Sequence, residues 1–238
     1  MKRFRYRFKE TIVTVLVDEE KYYKIAVESI HEARREIEAT IREEPLFLNS
    51  LEPLDFYTGD VTRRMCDASK KAKVGPMASV AGMIAQFCVE NMVEEGAQLA
   101  VVDNGGDIAI FTDRELVVGI YSGTEIRIGF KIKPSSEIMA ICTSSGKIGH
   151  SISFGFADAT TVFGSDACVA DAFATALGNE IKDSYGKKEL EEVLSSFWKR
   201  ACKYNHGIFA VKDEFLGFAG KIPEITRAEI NPDLITRG

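Results

Sequence analysis

The chain has 238 residues, of which 45% are apolar and 28% charged. That proportion suits one large packed domain or two small ones and excludes wholesale disorder. The formal net charge of −6 argues against a dedicated nucleic-acid binder, which carries a basic surplus.

The chain opens with Lys2, Arg3, Arg5, Arg7 and Lys9 interleaved with Phe4, Tyr6 and Phe8. Alternation of this kind reads as a strand with one wet face, so no nucleic-acid partner is expected. Phe4 to Val17 is predicted as one long strand or two strands with a bend. Thr11 to Val17 is short, runs straight into Asp18-Glu19-Glu20, and has no small-residue cleavage site, so it is not read as a signal peptide. Glu20 to about Glu44 is predicted helical, because Ala26, Ile30, Ala33, Ile37 and Ile41 recur at helical spacing among charges. Pro45 and Pro53 bracket a loop, and Met65 to Lys73 reads as a polar helical turn or short helix. Gly75-Pro76 opens a helix through Val80, Ile84, Phe87, Cys88 and Met92 that stops near Gly96.

Alternating strands follow at Gln98–Val102, Ile108–Phe111, Leu116–Tyr121, Ile126–Ile132 and Ile138–Thr143. Thr160–Phe163 is a further short strand. Ser165 or Asp166 is placed to cap the helix that carries Asp171. Lys187 to Tyr204 is amphipathic, and Ile208–Val211 with Phe215–Phe218 makes a late hairpin. The expected architecture is a single α+β domain over residues 1–238, with a mixed, largely antiparallel sheet and packed helices. Residues 225–238 are expected to be a loose C-terminal tail. No segment is long and apolar enough to span a bilayer, so no membrane partner is expected. The five cysteines include no C-x-x-C pair. Their odd number without a secretion signal points to reduced thiols in a cytoplasm.

Four features carry candidate chemistry. Asn104-Gly105-Gly106-Asp107 sits between two strands. It reads either as a hairpin turn or as a place where backbone N–H groups meet a phosphate or ribose. Thr143-Ser144-Ser145-Gly146-Lys147 is a polar strand end that lacks a full phosphate-binding loop. His150 reads as a structural histidine or as a proton donor or acceptor beside a reacting phosphate. Asp171 and Thr175 are four apart on an alanine-rich helix, which puts a carboxylate and a hydroxyl on one face. That oxygen pair suits Mg²⁺; the plain alternative is a hydroxyl bonded back to the helix and an acid placed for the dipole.

Taken in order, these motifs resemble the ApbE-like superfamily, whose characterised members are FAD:protein FMN transferases. The resemblance covers about Val74 to Gly178. It rests on Asn104–Asp107 as a shortened Asn-x-Gly-Gly-Asp loop, on Thr143–Gly146 as a Thr-Ser-Gly strand end, and on Ala170–Ala176 as an Ala-Asp-Ala-x-x-Thr-Ala helix. The resemblance implies Asp171, Thr175 and the carbonyl of Ala81 as Mg²⁺ ligands. It also implies FAD bound near Asn104, Gly105, Gly106, Asp107, Thr143, Ser144, Ser145 and Gly146, and a protein acceptor. His150 matches the family histidine, but the Asp-Pro-x-Thr-Gly that should follow is absent. Gly82 stands where the family has lysine. No lipoprotein leader is read, consistent with a cytoplasmic branch. The first reading is therefore a Mg²⁺-dependent flavin or nucleotide-phosphoryl transferase. The second is an accessory protein that binds a flavin or small phosphorylated ligand without turnover, in sulfur or cofactor metabolism. In the third, the alanine helix packs at the subunit interface of a homo-oligomer and the glycine loop is only a turn.

Overall fold

The computed structural model describes residues 1–120, 128–145 and 155–228. Its frame is an eight-stranded antiparallel sheet. In spatial order the strands are β1 (Lys2–Phe8), β2 (Thr11–Val17), β3 (Leu99–Asn104), β4 (Asp107–Thr112), β7 (Ser135–Ser144), β8 (Ala159–Gly164), β9 (Gly207–Lys212) and β10 (Phe215–Gly220). A second sheet has the order β11 (Glu224–Arg227), β6 (Ile128–Ile132) and β5 (Leu116–Ile120). The expected α+β class with antiparallel pairing is what the chain adopts.

Period-two alternation divides the large sheet between two cores. Val13, Val15, Val102, Ala140, Val162 and Ile208 pack beneath helices. Leu99, Val101, Ile141, Phe163, Phe209 and Val211 pack against Ile120, Phe130 and Ile132 of the small sheet. Phe130 stands edge-on to Phe163 at 4.8 Å and to Phe209 at 5.5 Å between ring centres, which locks the two sheets together.

The helical layer contains α1 (Glu20–Glu43), the short α2 (Leu46–Asn49), α3 (Asp60–Ala72), α4 (Val80–Glu94), α5 (Ala167–Glu180) and α6 (Lys187–Ala201). The α1 stripe of Tyr22, Ala26, Ile30, Ala33 and Ile37 is buried, as its spacing predicts. Phe4 of β1 stacks on Tyr23 at 4.3 Å, while the alternating arginines of that strand remain exposed. The helix expected from Gly75-Pro76 begins as a 3-10 turn over Pro76–Ser79 before α4 takes over. A first expectation is corrected. Ile225 to Arg227 do not begin a tail: they belong to β11, where Ile225 pairs with Phe130 and the Glu224 carboxylate meets Lys131 at 2.6 Å. Residues 229–238 lie outside the described residues.

α5 fixes the geometry of everything that follows. Every residue from Ala167 to Gly178 is buried, between the sheet and the neighbouring α3 and α4. Its alanines let α4 approach so closely that a Cβ at Gly82 would overlap the Ala167 carbonyl oxygen. The small-residue face thus serves packing inside the chain, and the reading of this helix as a subunit interface is corrected.

Candidate active site

The β3–β4 connection is a two-residue hairpin. Asn104 pairs with Asp107, and the intervening Gly105 and Gly106 have φ of +71° and +104°. Positive φ at both central positions is the hairpin requirement that glycine meets without steric cost. The Gly106 N–H donates to Asp103 Oδ1 at 2.9 Å, so this amide serves the turn rather than a phosphate. The side of Gly105 that a Cβ would occupy is open space.

The end of β7 lies beside that turn. Thr143 N–H donates to the Gly106 carbonyl at 3.2 Å, and Asp107 sits opposite Cys142 in the ladder. Thr143 and Thr161 share a hydrogen bond between hydroxyls at 3.0 Å. Thr160 donates to the carbonyls of Ser144 and Ala174, tying the strand end to α5. Ser145 closes the described part of this strand end. Gly146 and His150, named from the sequence, lie outside the described residues.

α5 begins at Asp166, whose Oδ1 accepts from the Val169 N–H at 3.2 Å, so Asp166 rather than Ser165 is the cap. One and a half turns on, Asp171 Oδ2 accepts from the Gly82 N–H at 2.8 Å in the first turn of α4. The carboxylate therefore points at the positive end of another helix. Asn104 Nδ2 donates to the Ala81 carbonyl at 3.1 Å, in the first turn of α4 beside the Gly82 amide. Thr175, one turn beyond Asp171, is buried, and among the described residues its hydroxyl has no hydrogen-bond partner. The hydroxyl is thus not spent on the helix backbone.

The electrostatics are those of an unneutralised acidic pair. Burial pushes Asp171 up to about 7, against the opposing N–H groups of Gly82 and Ala81. Burial raises Asp107 well above the usual carboxylate range, and the charges of Asp171 and Asp103 push it further; Thr143 N–H and the Cys142 thiol oppose this only in part. Asp107 Oδ1 has no hydrogen-bond partner among the described residues. Nor does any Lys, Arg or His there form an ion pair with either acid. Such a pair must share a proton or receive a cation.

A hard divalent cation fits that donor chemistry. Asp171 offers a carboxylate, Thr175 an unengaged hydroxyl and Ala81 a carbonyl, and the orphaned oxygen of Asp107 lies in the same acidic environment. No three His, Cys, Asp or Glu side chains among the described residues converge on one metal position. A cation here would complete its shell with water or phosphate oxygens, which is the habit of Mg²⁺.

Three residues outside the candidate set organise the site. Gly82 supplies the amide for Asp171, and its lack of a side chain is obligatory: a Cβ would stand 2.7 Å from Asp171 Cβ. The lysine of the family motif has no room at this position. Gln86 accepts from the Ala167 N–H at 2.9 Å and donates to Glu90 at 2.8 Å, and Glu90 in turn holds Arg64 through two bonds of 2.7 and 2.9 Å. Asp103 shapes the turn. An acid three residues before a turn glycine was a readable signal for Asp103; nothing local marks Gln86, whose partner is 81 residues away.

The model of the family described as AbpE bacteria matches residues 1–191. The chain belongs to that family. A relative from Archaeoglobus fulgidus, called UPF0280 protein, is 55% identical over 238 residues and covers 100% of both chains. A UPF0280 protein from Methanothrix thermoacetophila is 41% identical over 249 residues, again with 100% of both covered. Among solved structures, the apo form of the Pseudomonas stutzeri flavinyl transferase ApbE matches with a TM-score of 0.60 at 11% identity, covering 100% of this chain and 97% of that one. The ApbE protein of Thermotoga maritima gives 0.56 at 13% identity, with 100% of each chain covered. At these identities the likeness establishes a shared fold, which by itself does not carry an activity. Among the described residues no single helix of this family member is long and apolar enough to cross a membrane.

Proposed function

We propose that this family member is a Mg²⁺-dependent flavin or nucleotide-phosphoryl transferase that takes FAD and passes FMN to a protein hydroxyl. The observation that carries the reading is the buried acidic pair of Asp107 and Asp171, which no Lys, Arg or His among the described residues neutralises, set against the α4 N-terminus and the open Gly105 turn. Asp171, Thr175 and the Ala81 carbonyl hold the metal. When bound, Mg²⁺ supplies the positive charge that a pyrophosphate needs as its anhydride breaks.

The protein's own groups do the rest. Gly82 and Ala81 N–H groups keep Asp171 oriented. Asn104 fixes the Ala81 carbonyl, and the bare edge of Gly105 lets a bulky ligand come close to the turn. The hydroxyls of Ser144 and Ser145 at the end of β7 are hydrogen-bond donors for the ligand. In the transfer, the acceptor hydroxyl oxygen bonds to the FMN phosphorus, the P–O–P bridge breaks, and AMP leaves. The hydroxyl proton passes to a base, for which His150 is the candidate.

The test is purified chain with FAD, Mg²⁺ and a threonine-containing acceptor, read by AMP release and by flavin attached to protein. Both signals should vanish in Asp171→Ala and in EDTA. A second reading, ligand binding without turnover, is favoured by the absence of Asp-Pro-x-Thr-Gly after His150. It predicts a thermal shift with FAD, FMN or ADP that depends on Asp171 but produces no AMP. No shift with any of the three ligands overturns both.

A further inference from the structure

The two edges of the large sheet are built differently. β1 carries Lys2, Arg3, Arg5 and Arg7, and charged residues on an edge are a standing defence against strand addition. β10 reads Phe-Leu-Gly-Phe-Ala-Gly and has no charge at all. Leu216 is 48% exposed and Phe218 60% exposed, side by side on one face. The opposite face is closed by α6, with Leu194 over Gly217 and Trp198 over Gly220. Among the described residues β10 has β9 as its one ladder partner.

We propose that β10 is the interface between two copies of this chain, paired antiparallel about a two-fold axis at Gly217. The strand is self-complementary about that point: Leu216 of each copy faces Phe218 of the other. Aliphatic–aromatic pairs of this kind stabilise antiparallel ladders, and a two-fold contact forms each pair twice. The same pairing on β1 sets arginine against arginine, so the sheet is open to extension at one edge and closed at the other.

The charges on α6 fit the same axis. Arg200 pairs with Glu180, which marks the flank of α6 that faces α5. The other side runs Glu191, Ser195, Lys199 at four-residue spacing, on an open face of the helix that Lys188, Glu192 and Ser196 share. Leu194 stands over Gly217, so the two-fold passes beside Ser195. Glu191 of each copy then approaches Lys199 of the other, with small serines at the centre.

Light scattering on the size-excluded full chain tests this. At micromolar concentration the wild type should have twice the 26.3 kDa chain mass. Leu216→Lys with Phe218→Lys should be monomeric and still fold cooperatively, because both side chains are largely outside the core, with a melting temperature that no longer depends on protein concentration. Glu191→Lys should weaken the dimer about tenfold or more, as loss of a close interfacial charge pair does; adding Lys199→Glu should restore it. A monomeric wild type, a dimer that survives the two lysines, or a charge reversal without rescue overturns the proposal. An edge that serves a different protein appears in this test as the monomeric wild type.

Discussion

Replacing Gly82 by alanine tests the helix contact on which the site depends. A Cβ at this position would stand 2.7 Å from Asp171 Cβ and 2.8 Å from the Ala167 carbonyl carbon, and it would overlap the carbonyl oxygen. Carbon atoms in contact want roughly 3.5–4.0 Å, so α4 and α5 must part by about 1 Å. The obstacle is largely backbone, which cannot swing aside as a long side chain does. Overpacking of this kind costs about 1–3 kcal/mol. Parting the helices also stretches the 2.8 Å bond from Gly82 to Asp171, and hydrogen bonds to charged groups contribute about 1.5–3 kcal/mol. Together they predict a loss of about 3–5 kcal/mol, which in a chain of this size lowers the melting temperature by roughly 6–20 °C. Gly105→Ala is the control. It meets open space and suffers only its φ of +71°, about 1 kcal/mol or 2–4 °C. Differential scanning calorimetry of both variants in chelator measures the contrast. Equal melting temperatures for wild type and Gly82→Ala, or an equal fall in both variants, would refute the close-packed contact.

Asp171→Asn should weaken a pH dependence. The folded carboxyl at about 7 lies above its ordinary value of 3.8, so the native state binds more protons than the unfolded one across that interval. Stability of the metal-free protein therefore falls as pH rises from about 4 to 7, and the asparagine variant should flatten this slope and melt higher at pH 8; urea titrations across pH decide it. The same variant should lose the upward thermal shift that Mg²⁺ with ADP gives the wild type, and an intact shift would remove Asp171 from the metal site. Gln86→Leu leaves the buried Ala167 N–H without its acceptor and should cost about 1–3 kcal/mol in urea unfolding; a neutral result would show that α5 does not depend on this clasp. Phe130→Ala opens the space between the two sheets, where the ring is fully buried. It should cost about 3–5 kcal/mol while leaving ligand shifts at the Asp171 site in place.

Most of the fold is legible in the sequence because each element solves its own local problem. The α1 stripe and the alternation in β1 are fixed by spacing within a few residues. β11 was missed for the opposite reason. Its Glu-Ile-Thr-Arg is short and polar, and only the ladder to β6 makes it a strand. The 3-10 turn before α4 likewise reflects a distant neighbour: Gly75 is pressed against the carbonyl of Ser50.

The site divides along the same line. By itself the sequence determined that Asp171 and Thr175 share a helical face and that Gly105 and Gly106 lie between two strands. The residue types and the helical and strand periods are enough for that. Only the tertiary structure decided that Asp171 faces the Gly82 amide 89 residues away, that Asn104 holds the Ala81 carbonyl, and that Asp107 is buried within the field of Asp171 with no counter-charge among the described residues. Burial and convergence belong to helix–helix and helix–sheet packing, and no local pattern along the chain encodes how closely two backbones will meet.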